Sequence, residues 1–99
     1  MRIISKRTLR EFWENPDYSE SEQALKAWYE IAKVATWDTP QAIKNQFGNA
    51  SIVGDNRIVF NIAGNKYRLI VKFNYPYHIG YIRFVGTHME YDDLNAEKI

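Results

Sequence analysis

Arg68 and Arg83 are the side chains best suited to hold an anion. Each stands in an alternating run, Tyr67-Arg68-Leu69 and Ile82-Arg83-Phe84. A guanidinium stays charged at any working pH and meets a phosphate with two parallel N–H donors. Either Arg alone reads as a solvated strand residue with a snorkelling stem. On one strand face with Lys66, they read together as a phosphate site, because phosphates attract clustered cations. His88 follows a tight glycine in Gly86-Thr87-His88, and histidine can take and give a proton near neutral pH. Tyr91, three residues on, offers a ring to an unpaired base and a phenol that can hold or pass a proton. It reads equally as an aromatic packing the chain onto a sheet. His78, in a turn beside Tyr77, carries no role. Glu90, Asp92 and Asp93 have little to converge with, since residues 40–88 hold only one other acid, Asp55. A two-metal site needs carboxylates from several elements. No metal site and no cofactor is expected.

The elements that must position these residues come in two blocks. Leu9, Phe12 and Trp13 lie at helical spacing behind Ser5, which predicts a short helix over 6–14. Asn15-Pro16-Asp17 ends it. Ser19-Glu20-Ser21-Glu22 has the form of a capping box, opening a helix to about residue 36 with Leu25, Trp28, Ala32 and Ala35 on one stripe. Thr39-Pro40 supplies an N-cap and a first-position proline for a third helix bearing Ile43 and Phe47. Beyond Gly48-Asn49 the period falls from 3.6 to 2. Strands are expected over 57–62, 66–73 and 79–85, with a fourth at 51–53. Gly64-Asn65 signals a two-residue hairpin loop of the II′ kind, and Tyr75-Pro76 a second turn.

Register then sorts the faces. With Gly64-Asn65 as the loop, Ile62 opposes Tyr67 and Asn61 opposes Arg68. Ile58, Phe60, Ile62, Tyr67, Leu69, Val71 and Phe73 share a core face for the second helix. Arg57, Asn61, Lys66, Arg68 and Lys72 share the other. A turn centred on Tyr75-Pro76 sets Arg83 opposite Arg68 and Tyr81 opposite Ile70. Like charges directly opposite are destabilising, so such a face invites an anion. Arg68 is expected to point outward, its truncation removing no core volume.

Composition agrees with one domain of α+β class. The chain has 99 residues, 45% hydrophobic and 15% aromatic. It has no cysteine, so disulfides and thiolate sites are excluded. The start lacks an apolar signal region, and no apolar run approaches the ~20 residues of a membrane span. A cytoplasmic protein is the expectation. Net charge is only +1, but it is unevenly spread. Residues 40–88 carry Lys44, Arg57, Lys66, Arg68, Lys72 and Arg83 against Asp55, while residues 11–39 are acidic. A basic, aromatic-rich half suits a polyanion binder; ordinary surface solubility is the alternative.

Residues 56–71 (NRIVFNIAGNKYRLIV) and 81–92 (YIRFVGTHMEYD) closely resemble the signature of the HigB-type toxins. Trp28-Tyr29, Ala35-Thr36-Trp37 and Ala50-Ser51-Ile52-Val53 fit the same pattern, so the resemblance spans nearly the whole chain. It implies a RelE-like fold and a metal-independent ribonuclease that cuts mRNA, typically on a translating ribosome at its 30S A site. It implies neutralisation by a HigA-like helix-turn-helix antitoxin, through which alone operator DNA would be bound. Tyr67-Arg68-Leu69 falls on the strand motif whose Arg contacts the scissile phosphate, and Gly86-Thr87-His88 on the segment that carries a catalytic His or Arg. Tyr91 lies near the position of a C-terminal catalytic aromatic.

The resulting expectation is a single RelE-like toxin domain over 1–99, with two main helices on a twisted antiparallel sheet of three to four strands. The reaction would be attack of the substrate's own 2′-hydroxyl on the adjacent phosphorus. Arg68, His88, Tyr91 and Arg83 are the expected catalytic residues, with charge stabilisation the largest contribution. Arg57, Asn61, Lys66, Lys72 and Tyr81 are the expected RNA-binding residues. A non-catalytic RNA- or ribosome-binding module would keep the basic face without needing His88. A toxin of the same superfamily directed at DNA gyrase would be indifferent to Arg68 and His88.

Overall fold

A computed structural model describes residues 1–99. In chain order it contains β1 (Arg2–Ile4), α1 (Lys6–Glu14), a 3₁₀ segment (Pro16–Ser21), α2 (Glu22–Val34), α3 (Pro40–Gln46), β2 (Ser51–Ile52), β3 (Arg57–Ile62), β4 (Tyr67–Asn74), β5 (Ile79–Thr87) and α4 (His88–Asp92). The class is α+β, as composition and periodicity require. The sheet has five strands rather than three or four, in the order β1-β5-β4-β3-β2. The fifth is β1, which runs parallel to β5. Three residues are too short for alternation to register, and the partner lies more than seventy positions away.

The helices form where their apolar stripes require a core. Leu9 and Trp13 of α1, and Leu25, Trp28 and Ala32 of α2, are buried on the face of Ile58, Phe60, Ile62, Tyr67, Leu69, Val71 and Phe73. Edge-to-face aromatic pairs knit the layers: Trp28 on Phe60 at 5.3 Å, Phe47 on Phe60 at 5.2 Å and Trp37 on Phe73 at 5.8 Å. Such pairs add about 0.5–1.5 kcal/mol each beyond burial. Thr39 caps α3, accepting the Ala42 N–H at 3.1 Å, with Pro40 at the first position.

The capping box expected at Ser19 and Glu22 does not form. Asn15 caps the 3₁₀ segment through the Asp17 N–H, and that segment, itself kinked at Tyr18, runs on into α2. Ser19 and Ser21 instead donate back to the carbonyls of Pro16 and Tyr18. The preceding turn thus occupies the place where a capping residue would stand.

The first hairpin has the expected register, Asn61 opposite Arg68 and Ile62 opposite Tyr67. Its loop is closed by the Lys66 N–H on the Ala63 carbonyl at 3.4 Å, and Gly64 has the positive φ (69°) that a II′ turn needs at its first central position; Ala63, just before it, also has positive φ (52°). The second hairpin departs from expectation twice. Asn74 pairs with Ile79, so its loop centres on Pro76-Tyr77, one residue later than expected. The Asn74 side chain accepts the Tyr77 N–H, and His78 takes φ 54° to close it. A bulge then falls between the pairs Ile70–Phe84 and Val71–Ile82, leaving Arg83 as the extra residue. Arg68 therefore faces Gly86, and Tyr81 faces Lys72. The expected pairings of Arg83 with Arg68 and of Tyr81 with Ile70 are incorrect.

The second sheet face is not open. Val59 and Ile70 are buried on it, as are Arg57 and Arg68. Phe84 lies opposite Ile70, Tyr91 of α4 lies against Arg68, and the main-chain oxygen of Ile99 accepts from Arg57.

Candidate active site

β5 leads straight into α4 because Thr87 and Glu90 form a complete capping box. The Thr87 hydroxyl accepts the Glu90 N–H at 3.2 Å, and the Glu90 carboxylate accepts the Thr87 N–H at 2.8 Å. The Thr-x-x-Glu spacing is the sequence signal for this helix, which lies beyond the last expected strand. Gly86 makes the geometry possible. A β-carbon there would stand 2.5 Å from Cζ of Phe84 and 3.0 Å from the Glu90 carboxylate. The main chain of α4 is pinned to the first hairpin, as the His88 N–H donates to the Lys66 carbonyl at 3.1 Å.

The helix brings three of the singled-out residues to one end of β4. Tyr91 sets its ring 5.7 Å from the Arg68 guanidinium carbon, a cation–π geometry. His88 and Tyr91 are three apart, and so project from neighbouring positions of one helix. Asp92, one turn after His88, places a carboxylate oxygen 3.0 Å from His88 Nδ1. Arg68 is 9% exposed. Its Nη1 donates to the carbonyls of Asn65 (2.9 Å) and Tyr67 (3.2 Å), while Nε and Nη2 make no hydrogen bond. The expectation of a freely outward Arg68 is thus corrected: the hairpin loop holds one side of the guanidinium and leaves the other side unbonded.

Lys66 stands beside this site in the loop. Its ammonium lies 3.0 Å from Glu20, which also accepts from the Tyr67 hydroxyl at 2.9 Å. The bond from Lys66, then that from Tyr67, holds the Glu20 carboxyl below its ordinary pKa. Burial first, and Glu20 second, pushes the Tyr67 hydroxyl up. Glu20 belongs to the acidic stretch that charge counting set apart, and nothing local marks it as a partner of the hairpin. Asn61 lies across from Arg68, its amide near the Asn65 side chain at 3.4 Å.

The remaining cations lie toward the other end of the sheet. Arg57 is 5% exposed; it donates to the Asp55 carboxylate at 2.7 Å and to Ile99 O at 2.7 Å. Asp55 also stands 3.9 Å from Lys72, directly across from Arg57. The anion between these facing cations is thus supplied by the chain itself, in a turn where Asp55 and Asn56 both have positive φ. Lys72, Tyr81 and Arg83 line a separate groove of about 600 Å³. Nowhere do three His, Cys, Asp or Glu side chains gather so as to hold a metal ion. No helix is long and apolar enough to cross a membrane.

A basic strand is thus pinned to a short capped helix, with the main helices packed on the opposite sheet face. The chain matches the family model for HigB toxins, the RelE-like toxic component of a toxin–antitoxin system, over residues 21–94. It belongs to that family. It is also similar to the mRNA interferase HigB of Escherichia coli O6:H1 (strain CFT073), 27% identical over 96 residues that cover 95% of this chain and 91% of that protein. Membership implies an antitoxin as partner.

Proposed function

We propose that this protein is an endoribonuclease that cleaves mRNA in the cytoplasm, on translating ribosomes, and is held inactive by a HigA-like helix-turn-helix antitoxin that carries any operator binding. The observation that carries the reading is the Tyr91 ring set over the Arg68 guanidinium by a short helix that also carries His88 and is tied by the His88 N–H to the Lys66 carbonyl. The relative named for mRNA cleavage supports the choice of substrate.

In this reading the free edge of Arg68, Nε and Nη2, holds the phosphoryl oxygens as charge grows on them. Asp92 orients the His88 ring through Nδ1, which leaves Nε2 as the acceptor of the neutral imidazole. Nε2 takes the proton of the substrate 2′-hydroxyl. The 2′-oxygen bonds to phosphorus, the bond from phosphorus to the 5′-oxygen breaks, a solvent water gives that oxygen a proton, and the His88 imidazolium returns its own proton to solvent. The products are a 2′,3′-cyclic phosphate and a 5′-hydroxyl. Tyr91 keeps Arg68 in place and offers its second face or its phenol to the substrate. Lys66 and Asn61 guide the RNA backbone at the rim. Arg57, buried against Asp55, acts from beneath by shaping the strand. Mapping the 5′ ends of mRNA from a translation reaction, with and without the protein, tests the proposal. Unbroken mRNA alongside arrested translation would support the non-catalytic ribosome binder instead.

A further inference from the structure

The groove on the far part of the sheet lies outside the cluster of Arg68, His88 and Tyr91. Lys72, Arg83, Asn56, Asn74, Tyr75 and Tyr81 are among the residues that line it. Arg83 is there because it is the extra residue of the β5 bulge. Its Nε donates to Ile99 O at 3.3 Å, and its two terminal nitrogens make no hydrogen bond. Lys72 has only the 3.9 Å approach of Asp55. Tyr81, across from Lys72, is 36% exposed. Two underused cations beside an accessible ring suit a ligand that has both a phosphate and a flat aromatic group. Lys72 lies four residues along β4 from Arg68 on the same strand face, about 13 Å away.

The geometry points to this groove as a second subsite, which takes a nucleotide flanking the scissile phosphate: the base stacks on Tyr81, and its phosphate sits between Lys72 and Arg83. The inference rests on the ribonuclease reading for its place in the reaction, not for its binding chemistry. Arg83 and Lys72 then bind rather than catalyse. They set how much RNA beyond the cut contributes to affinity.

The test is ¹H–¹⁵N NMR of the whole chain titrated with hexauridylate, with uridine and inorganic phosphate as separate probes. Hexauridylate should shift the amides of Lys72, Asn74, Tyr81 and Arg83, while each half-ligand alone should shift them weakly. K72Q/R83Q should weaken that binding at least tenfold and flatten its salt dependence, as lost phosphate contacts do. Y81L, which keeps apolar bulk but not the stacking face, should weaken it about tenfold. Undiminished binding by folded K72Q/R83Q and Y81L, or shifts confined to the Arg68 end, would overturn the subsite. Groove shifts in a protein that never cleaves mRNA uphold the subsite and sink only the ribonuclease reading. Cleavage without groove shifts does the reverse.

Discussion

Arg68→Ala should disable the protein and also weaken its fold, and the two losses can be measured apart. The buried guanidinium makes two hydrogen bonds to carbonyls of the first hairpin and lies against Tyr91. Bonds from a charged donor contribute about 1.5–3 kcal/mol each at most, and a partly exposed cation–π pair about 0.5–1 kcal/mol. Water can reach the freed carbonyls at this rim, so a net destabilisation of about 2–3 kcal/mol is expected. For a domain of this size that lowers Tm by roughly 10–20 °C. The loss in cleavage should be larger, on the order of 10²–10³ in rate, because a fixed cation aimed at the transition-state charge is removed. Circular dichroism melts of the purified variant give the first quantity. Primer extension on mRNA from a translation reaction at 20 °C, where the variant is still folded, gives the second. Arg68→Lys should restore part of the stability and little of the rate, since an ammonium lacks the planar fork. An Arg68→Ala protein that cleaves at the native rate would refute the phosphate role, whatever its melting temperature.

Cleavage products should carry 5′-hydroxyl ends that polynucleotide kinase labels without prior dephosphorylation; 5′-phosphate ends would contradict attack by the substrate's 2′-hydroxyl. His88→Ala should cost about 10²–10⁴ in rate with little change in Tm, because the side chain is half exposed and its α4 anchor is the main-chain N–H. A large Tm drop would recast His88 as structural. Gly86→Ala should destabilise by about 1–3 kcal/mol through overpacking against Phe84 and should disturb α4, read as lost helix signals by NMR; a neutral effect would mean that the Phe84 ring swings away freely. The bonds from Lys66 and Tyr67 depress the Glu20 pKa. That latch is therefore in place above the ordinary carboxylate pKa and is lost as pH falls through the lower folded value. Hydrogen-exchange protection factors at residues 63–67, corrected for the intrinsic pH dependence of amide exchange, should fall over that acid range in the native protein and be already low at pH 7 in Glu20→Gln; identical protection in both proteins would dismiss the latch.

Much of this architecture is written in local pattern. Alternation assigned Ile58, Phe60, Ile62, Tyr67, Leu69, Val71 and Phe73 to the core face, helical spacing put Leu25, Trp28 and Ala32 on one stripe, and Thr39-Pro40 capped a helix as its chemistry requires. These succeed because side-chain periodicity follows from backbone geometry within a few residues. The family resemblance carried by residues 56–71 and 81–92 is likewise a property of the string. What was not legible depends on distant chain or on a single inserted residue. One bulge at Arg83 and a loop one residue later than expected moved Arg83 away from Arg68 and set Gly86 there instead. No local propensity reports a bulge, because it relieves a mismatch between two strands. The cations looked like one exposed face; the fold buries Arg57 against Asp55, turns Arg68 toward Tyr91 and leaves Lys72 with Arg83 in a groove. Sequence by itself determined which residues are charged and which strands carry them. Only tertiary packing, by covering that face with α4 and the chain beyond it, decided which charges are spent on the protein and which remain for a ligand.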